Sequence, residues 1–353
     1  EGKILGLAAY GNQKKIINEI SEMIKYDTNK KVFKGCYENG YYQSTFDNRN
    51  LSVLLNKYSV KDIAASTQLI LEKTVTECIK DLSKGKINLA LAGGVFANVK
   101  LNQKIKELEN IKNIYIFPNM GDGGLSVGGA QLLYHEKTKK KPKKIKDMYL
   151  GHNFSDREIL KEIKKYHLSF LKFNKIEKKI AELLSQKKVI AHFNHKMEFG
   201  PRALGNRSIL CSASDKNINN WLNKRLKRTE FMPFAPIILK TKIKDYMYVN
   251  NLRDYLFMTM TCKCKKIMSI KAPAAVHIDG TARPQIIDKY INPRINLILE
   301  NYYKITGVPV LINTSFNMHE EPIVCNPEDA IRGFIDGKLD YLVINNYLIK
   351  KYR

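Results

Sequence analysis

At 353 residues, with 44% apolar and 27% charged residues, the chain is long enough for two domains of roughly 100–200 residues, each with its own core. No run approaches the ~18 apolar residues of a transmembrane helix, no signal peptide opens the chain, and six scattered cysteines without a CxxC pair point to reduced thiols in a cytoplasmic protein. The net charge of +26 rests on 49 lysines against 11 arginines, a bias that runs with abundant Ile and Asn; with no nucleic-acid module visible, anionic small molecules are the better-suited partners.

Residues 13–25 read as a short helix, and 31–50, rich in Tyr, Asn and Gly, as a hairpin or irregular excursion. Ile63, Thr67, Ile70, Leu71, Val75, Cys78, Ile79 and Leu82 recur at helical spacing, which predicts a helix from about Val60 to Lys84, closed by Gly85. A strand over 87–92 runs into Gly93-Gly94 and a helix from Asn98 to Glu109. A second strand over 114–117 leads through Gly121-Asp-Gly-Gly124 into a helix from Ser126 to Tyr134. Alternation of this kind indicates α/β layering.

Seven lysines and Pro142 between Lys137 and Lys146 have linker composition, so the expected division is 1–136, a linker at 137–148, and a second domain at 149–353. In that second domain, 155–187 reads as helical, 188–193 as a strand, and Asp215 to Arg228 as a helix with Asp215 as its N-cap. Ile237–Leu239 and Ala274–Ile278 are strand candidates. A helix from Pro293 to Thr306 precedes a strand at 308–312, and Pro327 opens a last helix before strands at 341–344 and 347–350.

Polar side chains cluster at the ends of the predicted strands, where α/β proteins place ligands. Gly93-Gly94 with Asn98, and the turn carrying Asp122, suit nucleotide phosphates and a metal held by the carboxylate. Plain strand-to-helix turns would look the same. Within Glu198-Phe-Gly-Pro-Arg-Ala-Leu-Gly-Asn-Arg-Ser208, Arg202 and Arg207 offer planar forks for phosphate or carboxylate, with Asn206 and Ser208 beside them. A third set is His277, Asp279, Thr281, Arg283 and Gln285. A fourth is Asn313, Ser315 and Asn317 at the end of an apolar strand.

These motifs, in order, resemble the O-carbamoyltransferases of the nodulation and antibiotic-tailoring type: Glu-Gly-Lys-x-x-Gly-Leu-Ala-x-Tyr-Gly at the start, Gly-Gly-Val-x-x-Asn, Gly-Asp-x-Gly, Met197 to Ser208, Pro-Phe-Ala-Pro, His-x-Asp-Gly-Thr-Ala-Arg-x-Gln and Asn-Thr-Ser-Phe-Asn. The resemblance implies an α/β protein: the C-terminal half of an actin-like domain followed by a YrdC-like domain. It implies that the second domain makes carbamoyl adenylate from carbamoyl phosphate and ATP with Mg2+. The first, with iron or a similar metal, would pass the carbamoyl group to a hydroxyl acceptor, a sugar being the commonest sort. Arg202, Arg207, Lys227, Arg283 and Ser315 are then the expected catalytic set. Lys3, Gly93, Gly94, Asn98, Asn206, Ser208, His277, Thr281, Asn313 and Asn317 are the expected substrate and ATP contacts, and Asp122 the metal ligand.

Two departures qualify this. Where the family carries Lys-x-Arg-Glu, an aromatic and an arginine, this chain has Lys227-Arg-Thr-Glu-Phe-Met232, one residue shorter, with Thr229 and Met232 in the arginine places. The family's His-x-x-x-His metal motif is not found, and would lie upstream of Glu1. Residue 1 is Glu, in what reads as the middle of a motif, so an N-terminal portion is expected to precede it. The expectation is therefore adenylate formation by this chain without onward transfer. A tRNA threonylcarbamoyladenosine-type enzyme and a degenerate binding homologue stand as alternatives.

Overall fold

A computed structural model describes residues 2–35, 49–142, 145–227 and 234–350. The chain divides into two compact units, 1–116 with 230–232, and 117–229 with 233–353.

The first unit contains α1 (Gly2–Ala8), α2 (Ile17–Met23), β1 (Ile24–Asp27), β2 (Val32–Gly35), α3 (Arg49–Lys57), α4 (Val60–Leu82), β3 (Ile87–Leu91), α5 (Val99–Lys106) and β4 (Ile111–Ile116). Ser59 caps α4, accepting the Asp62 N–H on its hydroxyl. Gly11 packs against the start of this helix, where a Cβ would meet the Lys61 carbonyl oxygen at 2.0 Å. Ile16, Ile20, Leu54 and Ile70 form a small core. Strands β1 and β2 form a hairpin and β3 and β4 pair in parallel. The remainder of the Tyr/Asn/Gly-rich stretch, 36–48, lies outside the described residues.

The second unit contains α6 (Leu125–Thr138), α7 (Asp156–Lys165), β5 (Phe170–Lys172), α8 (Glu177–Ser185), β6 (Ile190–Phe193), β7 (Arg207–Ser212), α9 (Asn217–Arg225), β8 (Ala235–Leu239), α10 (Ile243–Tyr246), β9 (Cys262–Lys263), α11 (Lys266–Lys271), β10 (Thr281–Ala282), β11 (Gln285–Ile287), α12 (Pro293–Thr306), β12 (Val310–Ser315), α13 (Pro327–Asp336), β13 (Tyr341–Ile344) and β14 (Tyr347–Lys350). An eight-stranded sheet in the order β11-β8-β12-β7-β6-β13-β14-β5 forms its centre. Only β11/β8 and β13/β6 are parallel neighbours, so the architecture is α/β with a mixed sheet. Among the described residues no helix is long and apolar enough to cross a membrane.

Three local expectations are corrected. The 155–187 stretch is two helices split by β5, an edge strand that pairs with β14. Residues 273–275 form a 3-10 turn with Pro273 in its first turn, where a strand was expected; proline's fixed φ and missing N–H favour a helical start. Helix α9 begins at Asn217, and Asp215 instead accepts the Asn217 N–H in the turn before it.

Candidate functional site

Register fixes which polar side chains share a face. Across the centre of the sheet, Ser315 on β12 is the partner of Ser208 on β7, and Ser208 of His192 on β6, so all three lie on one face. Asn313, two residues before Ser315, lies on that face too, and Arg207 with its partner Phe193 lies on the other. The β6–β7 connection, residues 194–206, carries Arg202 at this end of the sheet.

Both ends of that connection are held by side chains. Glu198 Oε1 accepts the N–H groups of Leu204 (2.7 Å), Asn206 (2.7 Å) and Arg207 (3.2 Å). Ser208 Oγ accepts the Gly205 N–H at 3.0 Å. Asn313 Nδ2 donates to the Ala203 carbonyl at 2.8 Å and to Gln285 Oε1 at 3.1 Å. The Leu204 carbonyl receives Gln285 Nε2 at 2.7 Å and the Tyr149 hydroxyl at 2.8 Å. Asn206 donates to the Lys196 carbonyl and accepts from Asn292. Gly205 has φ +110, and a Cβ there would lie 2.8 Å from Ile295 Cγ1. The expected ligand residues Asn206, Ser208 and Asn313 thus form the frame of the loop.

Arg207 is fully buried. Its Nη1 donates to the carbonyls of Asn194 (2.8 Å) and Asn206 (3.2 Å), and its Nη2 to those of His195 (2.9 Å) and His152 (3.4 Å). The guanidinium stacks on Phe193 at 3.6 Å. Burial pulls its pKa down to about 10, so it stays a cation at neutral pH, shared among main-chain oxygens. His192 Nδ1 lies 2.7 Å from the Gly205 carbonyl oxygen. Burial first, and then the Arg294 charge, lower its pKa to about 3, so the imidazole is neutral and Nδ1 carries the proton.

Arg202 and Arg283 differ from Arg207. Burial lowers the pKa of Arg202. Arg283 is pushed well below the usual arginine value by burial and then by the charge of Arg202. Among the described residues no carboxylate pairs with Arg283, and its Nε is buried without a partner. The charge of Arg202 thus reaches Arg283, and both residues are half-buried, which suits them to an anion.

The remaining expected residues are placed as follows. Ser315 Oγ donates to Asn317 Oδ1 at 2.5 Å, and Asn317 Nδ2 to the carbonyls of Met318 and Glu321, which closes the turn after β12. Asp279 Oδ1 accepts the Thr281 N–H and hydroxyl and faces His277 Nδ1 at 3.0 Å. Lys227 is exposed with φ +56; Arg228, Thr229 and Met232 lie outside the described residues, as does the side chain of Lys3. In the first unit, Gly93 and Gly94 are exposed at the end of β3, and Asn98 caps α5 while bonding Gln68. Asp122, in the second unit, is exposed in a 3-10 turn. Among the described residues no three His, Cys, Asp or Glu side chains converge on a metal, and Asp122 alone cannot hold one.

A cavity of about 410 Å³ opens at the carboxyl ends of the parallel pair β6 and β13. Asn194, His195, Asn206, Asn292, Asn345 and Asn346 contribute to its wall. Arg294 and Asp156 also line it, Arg294 held by Glu177 at 3.1 Å and the Asn345 carbonyl at 2.6 Å, Asp156 by Lys172 and the Tyr347 hydroxyl, so each charge of the wall is paired. Glu198, Gln285, Tyr149, Asn292 and His192 are the residues whose roles the motifs concealed. A carboxylate at the head of a glycine-bounded loop is the signal that could have singled out Glu198.

Two family models match: the carbamoyltransferase N-terminus over residues 1–131 and the carbamoyltransferase C-terminus over 181–351. An uncharacterised protein of Methanocaldococcus jannaschii is 36% identical over 99% of this chain and 59% of its own length. Nodulation protein NolNO of Sinorhizobium fredii is 32% identical over 99% of this chain and 53% of its own. NolO of Bradyrhizobium diazoefficiens is 30% identical over 99% of this chain and 66% of its own. The chain thus spans about half to two thirds of these relatives. A crystal structure of full-length HypF in its phosphate- and nucleotide-bound form is similar at 22% identity and TM-score 0.36, over 51% of this chain and 22% of the other.

Proposed function

Because the chain belongs to the carbamoyltransferase family, we propose that its second unit forms carbamoyl adenylate from carbamoyl phosphate and ATP, for transfer to a hydroxyl of a sugar or other small acceptor. The observation that carries this is the pair Arg202 and Arg283, half-buried cations of one unit, with no carboxylate on Arg283 among the described residues. Carbamoyl phosphate and the ATP triphosphate are both anions, and bringing them together needs convergent positive charge.

The step balances as follows. Water releases carbamate and inorganic phosphate from carbamoyl phosphate. A carbamate oxygen then attacks the α-phosphorus of ATP, and pyrophosphate leaves with the electron pair of the broken P–O bond. Mg2+ accompanies the ATP phosphates. Arg202 and Arg283 offset the charge of the two anions, and because the loops that carry them are preorganised, little reorganisation is needed at the moment of reaction. No side chain has to act as general base for this exchange. Ser315 and Asn317 supply short polar contacts at the same end of the sheet. The amide-rich cavity beside the loop, whose Asp156 and Arg294 are each paired, suits the neutral nucleoside part of the nucleotide.

Onward transfer to the hydroxyl is proposed for the whole protein. Since the described residues offer Asp122 without companion ligands, no step is routed through a metal. The test is pyrophosphate exchange into ATP by this chain, with and without carbamoyl phosphate, beside carbamoylation of candidate acceptors followed by mass spectrometry. Exchange that depends on carbamoyl phosphate supports adenylation; its absence removes the reading in favour of a binding homologue. Carbamoylated tRNA-type products would redirect it to the threonylcarbamoyladenosine class.

A further inference from the structure

The three N–H groups that converge on Glu198 belong to Leu204, Asn206 and Arg207, all within five residues of Arg202. One oxygen therefore collects three donors from a chain segment that reverses direction around it. The opposite side of the same segment is held through its carbonyls, by Asn313 on Ala203 and by Gln285 and Tyr149 on Leu204. The bonds from Asn313 and Gln285 tie the loop to the sheet, and that from Tyr149 ties it to the segment before α7. The Glu198 bonds set its curvature, because they join the loop's start to its end.

We propose that Glu198 is a positioning residue: its Oε1 shapes the 198–207 loop and so fixes the place of Arg202. This rests on the reading of the two arginines as an anion site and names what builds it. Burial raises the Glu198 pKa while the N–H groups it accepts pull it back, and a carboxyl oxygen accepts several N–H groups at once in either case. Glu198 is 5% exposed, and its Oε2 is buried without a partner, so one oxygen does the holding. Proline at 201 and glycines at 200 and 205 permit the tight path but do not fix it, with φ at Gly200 of +132 and at Gly205 of +110. The direct bonds to Glu198 fix it.

The consequence is specific. Removing the acceptor should loosen the segment that carries Arg202. Binding of inorganic pyrophosphate to the full chain, followed by calorimetry, reads this without any need for turnover. Glu198→Ala should weaken binding about tenfold or more, equivalent to about 1.4 kcal/mol. Glu198→Gln, whose amide oxygen still accepts the three N–H groups, should stay within about threefold of the unaltered chain. Against a background of Arg202→Ala, the further change Glu198→Ala should have no added effect, because its whole influence passes through Arg202.

Unaltered affinity in Glu198→Ala overturns the proposal, and so does an equal loss in the Arg202→Ala background. If the alanine variant does not fold, Glu198→Asp decides, since it keeps the charge and withdraws the oxygen by one methylene. Loss of binding in a folded Asp variant supports the proposal, and unchanged binding overturns it. An unaltered chain that binds no pyrophosphate overturns it as well. If exchange with carbamoyl phosphate is absent while these binding arms come out as stated, the adenylation reading falls and the positioning role stands.

Discussion

The charge of Arg202 acts on Arg283 strongly enough to add to burial in driving that guanidinium well below its usual ionisation range. An anion bound beside Arg283 would offset that effect.

Arg283→Met should therefore separate stability from function. Removing one of two repelling, desolvated cations should leave the melting temperature equal or higher. Carbamoyl-phosphate-dependent exchange should fall about 10²–10³-fold, the usual cost of one preorganised electrostatic contact. Thermal melting and the exchange assay on one preparation check both halves.

Arg207 predicts the reverse pattern. Its guanidinium occupies four main-chain carbonyls and stacks on Phe193, so Arg207→Ala leaves buried acceptors unpaired. A loss of about 3–5 kcal/mol is expected in denaturant unfolding. Arg207→Lys should recover only a part, because an ammonium cannot match the forked geometry. A change below about 1 kcal/mol would show that the carbonyls find other partners.

Much of this fold was legible because periodicity and turn chemistry agree with packing. Helix α12, for example, starts at Pro293 behind the Asn292 cap and ends at Gly307 with φ +70. Strands β5 and β7 were not legible. Phe170–Lys172 is short and at an edge, and Arg207–Ser212 begins with a cation that reads as a ligand group until its carbonyl partners are known. The same limit applies at the site. Asn206, Ser208 and Asn313 are polar residues at strand ends, and sequence cannot tell whether such a side chain faces a ligand or bonds a neighbouring peptide. The arginines were legible as a cluster; that Arg207 serves the main chain while the charge of Arg202 bears on Arg283 is a matter of register and long-range contact.

His192 gives a pH prediction with a definite sign. Its pKa in the folded chain is about 3, below the ordinary 6.5 expected when unfolded. The unfolded chain thus binds an extra proton between these values, and stability contributed by the neutral imidazole is present above about pH 6.5 and lost as pH falls toward about 3. His192→Gln should flatten that part of the stability profile, measured by denaturant midpoints from neutral to acid pH. An unchanged slope would place the proton uptake elsewhere.

Gly205 and Gly280 offer a matched pair in the same unit. Both have positive φ, but a Cβ at Gly280 meets nothing within 4 Å, while at Gly205 it meets Ile295 at 2.8 Å. Gly280→Ala should cost about 1–2 kcal/mol, the left-handed penalty alone. Gly205→Ala should cost clearly more in the same denaturant titration and should weaken pyrophosphate binding, because the displaced segment carries Arg202.

The most direct test of the central claim is pyrophosphate exchange into ATP, measured for the unaltered chain and for Arg202→Ala and Arg283→Met, each shown to be folded. The account predicts exchange by the unaltered chain only when carbamoyl phosphate is present, and a loss of about 10²-fold or more in both variants. Exchange at the unaltered rate in either folded variant would contradict it.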